Sequence, residues 1–71
     1  MHRDAVQSSM IRGIGYDRRQ KVLEVEFANG QVFAYRDVPE ETHIRVMAAA
    51  SIGKEFSALV RNAFAFERVE G

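Results

Sequence analysis

The chain has 71 residues, short of the usual single domain, and predicts one domain over residues 1–71. Hydrophobic residues make up 46% and charged residues 28%, a globular balance rather than a disordered one. Ten basic residues cancel ten acidic ones and cysteine is absent, which excludes disulfides, thiolate chemistry and a chain-wide basic footprint for nucleic acid.

Residues 1–8 are polar and unpatterned, and predict a frayed lead-in with residues 1–7 flexible. A first strand is expected over residues 9–16, running into Tyr16. Its apolar residues Ile11, Ile14 and Tyr16 break the period of two, and one extra residue at Gly13 would make a β-bulge that restores the phase. Asp17 to Gln20 reads as a turn by its polarity. The second strand, Val22 to Phe27, turns Leu23, Val25 and Phe27 one way and Val22, Glu24 and Glu26 the other.

Asn29-Gly30 signals a hairpin into a third strand from Gln31 to about Asp37. A two-residue loop would set Phe33 and Tyr35 on the glutamate face. A three-residue loop, with Gly30 left-handed, pairs Phe27 with Gln31, Val25 with Phe33 and Leu23 with Tyr35 instead. All five large residues then share one face, so the three-residue loop is the expectation.

Pro39 ends the third strand and suits a helix start, with Glu40 and Glu41 near the positive end of the dipole. The first helix is expected from about Pro39 to Ala50. Its buried stripe is either His43, Val46, Met47 and Ala50, or Ile44, Met47 and Ala48. Ser51 is a good N-cap for a second helix, in which Phe56, Leu59, Val60, Ala63 and Phe64 form one amphipathic stripe. Ala65 to Val69 alternates and is compatible with a short return strand. The predicted fold is α+β: a three-stranded antiparallel meander followed by two helices packed on one face.

The order Ser8-Ser9, Gly15-Tyr16-Asp17, Leu23-x-Val25-x-Phe27-x-Asn29-Gly30, Phe33-x-Tyr35, Val38-Pro39, Ser51-x-Gly53, Phe56 and Val60-Arg61 resembles the KTSC domain. That module is named for its place at the C-terminus of some lysyl-tRNA synthetases, and it also occurs as stand-alone bacterial proteins. The resemblance spans roughly residues 6–66. No reaction is attached to the family, and its company with a tRNA-charging enzyme implies association with RNA or an RNA-handling protein. Two positions depart from the family pattern: its Tyr-x-Tyr is Phe33-Ala34-Tyr35 here, and an asparagine usual after the helix phenylalanine is Ser57.

Arg18, Arg19 and Lys21 form the densest basic cluster and, with Lys54, are the candidate nucleic-acid contacts. Ser51 and Gly53 open a helix beside Lys54 and are the candidate anion-binding residues; the alternative is a plain N-cap with a glycine that lets the two helices pack closely. Phe33 and Tyr35 could form a base-stacking platform, but the register argument places both rings in the core. Arg61 is expected to pair with a carboxylate such as Asp37 or a helix-1 glutamate. His43 is expected to be structural.

No nucleophile elbow, phosphate loop or metal-ligand cluster is found, so no enzyme activity, no cofactor and no metal are expected. The start shows no secretory h-region and no run approaches a membrane span, which makes the cytoplasm the default. The sequence thus predicts a non-catalytic binding module, and the resemblance implies that it associates with RNA. The alternative is a protein-interaction adaptor that uses an exposed edge of the sheet.

Overall fold

The computed structural model describes residues 2–69. Five strands and two helices follow in the order β1 (Asp4–Ala5), β2 (Ile11–Asp17), β3 (Val22–Phe27), β4 (Val32–Tyr35), α1 (Glu40–Ala48), α2 (Ile52–Leu59) and β5 (Phe66–Val69). The strands lie in one antiparallel sheet in chain order, β1 to β5.

The centre of that sheet follows from the pattern of the sequence. Leu23 stands opposite Tyr35 and Val25 opposite Phe33, the register of a three-residue loop. Gly30 sits at φ 90°, and the Phe27 amide donates to the Gln31 carbonyl at 2.8 Å. A left-handed residue at that point costs a glycine nothing. The bulge of β2 falls between Ile11 and Gly13, so Arg12 is the extra residue and Ile11 and Ile14 both reach the buried face. Asp17 closes the β2–β3 turn by accepting from the Arg19 and Gln20 amides at 2.9 and 3.2 Å, an Asx turn.

The helices cover the face carrying Leu23, Val25 and Tyr35. A single core joins these to Ile11, Ile14, Val38, Val46, Phe56 and Val60, all essentially inaccessible to water. In α1 the stripe is that of His43, Val46 and Met47, and Ile44 faces solvent. Ser51 caps α2 by accepting from the Lys54 amide.

Two expectations are corrected. The three-stranded meander is the middle of a five-stranded sheet, because both of its edges acquire partners. Asp4 and Ala5 pair with Ile14 and Gly13, and Phe66 to Val69 pair with β4. The return strand therefore satisfies the backbone groups at the edge of β4 within the chain, and β1 and β5 become the outer strands of the sheet. Helix α2 stops at Leu59, short of Ala63 and Phe64. The Val60 and Arg61 amides both converge on the Phe56 carbonyl and the chain turns back toward β4, leaving Ala63 exposed.

The outer face of the sheet is also drier than simple alternation implies. Arg3 pairs with Glu24 and Glu26, and Arg12 with Glu26, so the Glu24 side chain keeps only 12% of its exposure. Gly13 and Gly15 lie buried beneath this lead-in, and a Cβ on Gly15 would collide with the His2 carbonyl.

Candidate functional site

The predicted cations do not form one site. Arg18, Arg19 and Lys21 project from the turn after β2, whereas Lys54 lies beside Ser8 to Met10, just before β2 begins. The seven residues of β2 separate them, a span on the order of 20 Å. Arg18 is drawn to Glu40 at 3.4 Å. Among the described residues no carboxylate comes within 4.0 Å of Arg19 or Lys21. Lys21 takes a left-handed conformation, φ 57°, and its carbonyl accepts from the Val38 amide, which ties the turn to the entrance of α1.

Ser51, Gly53 and Lys54 line a shallow hollow together with Gln7, Ser8 and Ser57. The role of Gly53 differs from the expected helix–helix contact. A Cβ there would lie 3.2 Å from the Ser8 hydroxyl and 3.3 Å from the Met10 methyl, so the glycine admits the Ser8–Met10 segment against α2. Ser8 in turn accepts from the Met10 and Ile11 amides and starts β2.

A second concavity lies at the β3–β4 hairpin end, with a volume of about 500 Å³. Its aromatic lining comes from Phe27, Phe33, Tyr35 and Phe66. Register explains the grouping: Tyr35 lies opposite Phe66 on one side and Leu23 on the other, so the rings of β4 and β5 share a face. Phe66 stacks on Phe33 with centroids 5.1 Å apart and planes 17° from parallel, and it lies 5.2 Å from Tyr35. Phe27 and Tyr35 meet Phe56 edge-on beneath. Phe66 nonetheless stays 51% exposed, a large apolar ring held at the surface.

Polar side chains rim this cleft: Asn29, Gln31, Arg61 and Asn62. Arg61 does not make the expected ion pair, since no carboxylate lies within 4.0 Å of it among the described residues. It lies instead near the Tyr35 hydroxyl, whose pKa burial raises and Arg61 pulls back down. Sequence reasoning placed Tyr35 correctly in the core but missed the cleft. The signal was present in the alternation of Ala65 to Val69: once that segment pairs with β4, Phe66 must join the face of Tyr35.

His43 packs half-buried against β2. Its ring stacks on Tyr16 at 4.8 Å and 11°, and the Tyr16 hydroxyl donates to the Val38 carbonyl. Burial lowers the His43 pKa, against the opposing pull of Glu40 and Asp4. Among the described residues no group of three His, Asp or Glu is placed to hold a metal, and no helix is long and apolar enough to cross a membrane.

Comparison with known proteins places this geometry among relatives. Residues 7–64 match the family model of the KTSC domain. A protein of Stutzerimonas stutzeri is 41% identical over 61 residues, 86% of each chain. The lysine–tRNA ligase of Nostoc punctiforme is 29% identical over 63 residues, which cover 89% of this chain and 11% of the ligase. The crystal structure of a KTSC domain protein from Yersinia pestis superposes with a TM-score of 0.94 at 33% identity, covering 97% of both chains.

Proposed function

This chain belongs to the KTSC domain family, and from that premise we propose that it is a non-catalytic module that holds single-stranded RNA in the aromatic cleft. The observation that carries the reading is the composition of the cleft: a half-exposed Phe66 stacked on Phe33, beside an Arg61 with no carboxylate within 4.0 Å among the described residues. Flat apolar faces take unpaired bases, and a neighbouring guanidinium takes the phosphate or stacks in its turn. The likeness to a segment of a tRNA-charging enzyme supports RNA as the polymer and the cytoplasm as the place. Arg19 and Lys21, at the far end of β3, add phosphate contacts along the strand.

Anisotropy titrations with a labelled single-stranded RNA and its duplex test this. The single strand is expected to bind more tightly. Phe66→Ala should weaken it roughly tenfold, the scale of one lost base stack. Equal affinity for the duplex, or a Phe66→Ala variant that binds like the parent, would refute the cleft as the site.

A further inference from the structure

Resting on the RNA reading above, we infer that the cleft selects guanine over adenine, taking the O6 and N7 edge of an unpaired guanine on Arg61 and Gln31 while the base stacks on Phe66. The argument begins at the hairpin. The Gln31 amide donates to Asn29 Oδ1 at 2.9 Å. That bond fixes which way the Asn29 amide points, and Asn29 Nδ2 then donates to Gln31 Oε1 at 3.2 Å. Each side-chain oxygen thereby accepts one bond inside the loop. The Gln31 Nε2 amino group has no hydrogen-bond partner among the described residues and is the donor Gln31 brings to the cleft.

Arg61, across the cleft, carries donors and no acceptor. Asn62 adds one amino group and one oxygen, and among the described residues no carboxylate lines the cleft, so the balance of the rim stays with donors. A ligand that is planar enough to stack and rich in acceptors along one edge fits this arrangement. Guanine presents two adjacent acceptors, O6 and N7, which a guanidinium fork engages together. Adenine replaces O6 with an amino group, which would meet Arg61 and Gln31 donor against donor. Cytosine offers acceptors at N3 and O2, but on a smaller ring to stack. Uracil has acceptors but a smaller ring to stack.

The cleft volume of about 500 Å³ is enough for one nucleotide. The site thus reads one base in a strand otherwise held by phosphate contacts.

The test uses the whole chain and labelled cytidine hexamers carrying one central guanosine, adenosine or 7-deazaguanosine, titrated at low salt. The guanosine hexamer should bind about tenfold more tightly than the adenosine one, and removal of N7 should erode that margin. Arg61→Lys keeps the charge but not the fork. It should still bind the hexamers while the guanosine-to-adenosine ratio falls toward one. Gln31→Glu supplies an acceptor and should shift the preference toward adenosine. Circular dichroism confirms that both rim variants remain folded. Equal binding of guanosine and adenosine hexamers by the parent chain would overturn the selectivity and leave the RNA reading intact. Full selectivity in Arg61→Lys would overturn the assigned contact. Failure of every hexamer, and of longer single strands, to bind would overturn both readings.

Discussion

Phe56 is one of the largest side chains of the core. Its ring is fully buried and meets Phe27 and Tyr35 edge-on, joining α2 to the floor of the cleft. Phe56→Ala should cost about 3–5 kcal/mol. A domain of this size has only about 4–10 kcal/mol in total, so chemical denaturation should show the variant marginal or unfolded. A loss below about 1 kcal/mol would contradict the packing described. His43 supplies a pH-dependent contribution. Its pKa is lowered by burial, and its Nε2 is buried with no hydrogen-bond partner among the described residues. The unfolded chain therefore binds the proton first. Stability is complete above about pH 6.5, the ordinary histidine value, and falls as the pH drops from there toward the lower folded pKa. The melting temperature should decline between pH 7.5 and 5.5, and His43→Phe, which keeps a ring against Tyr16, should flatten that decline. An unchanged slope in the variant would assign it to other groups.

Among the elements, the β3–β4 hairpin was the most legible in the sequence. Parity alone decides its loop, because only a three-residue connection puts Phe33 and Tyr35 on the face of Leu23, Val25 and Phe27. The end of α2 was not legible. The spacing of Phe56, Leu59, Val60, Ala63 and Phe64 continues a helix on paper. The chain turns at Val60 because β5 satisfies the backbone groups at the edge of β4, a gain that no local pattern records. The β2–β3 turn was legible as a cation cluster, but its distance from Lys54 depends on strand order and could not be read. If the turn meets phosphates, changing Arg18, Arg19 and Lys21 together to alanine should lower the salt slope of RNA binding by about 2, at about 0.7 per phosphate. The melting temperature should stay nearly constant, since all three side chains are exposed. An unaltered slope would exclude the turn from the interface.

For the whole molecule, net neutrality was informative and incomplete. Ten positive and ten negative charges cancel in sum, yet they are sorted in space. Arg3, Arg12 and Arg36 neutralise Glu24, Glu26 and Glu67 on the outer face of the sheet. Arg61 remains beside the aromatic cleft on the other face, without a carboxylate within 4.0 Å among the described residues. The register of the hairpin places Tyr35 in the core and Phe33 against it, but the position of Phe66 beside them depends on a strand forming 31 residues after Tyr35. The most direct measurement of the central claim is an amide chemical-shift titration of the labelled protein with short single-stranded RNA. The largest saturable shifts should fall on Gln31, Phe33, Arg61, Asn62 and Phe66, with smaller ones at Arg19 and Lys21. Shifts confined to the turn, or none at all at low salt, would contradict it.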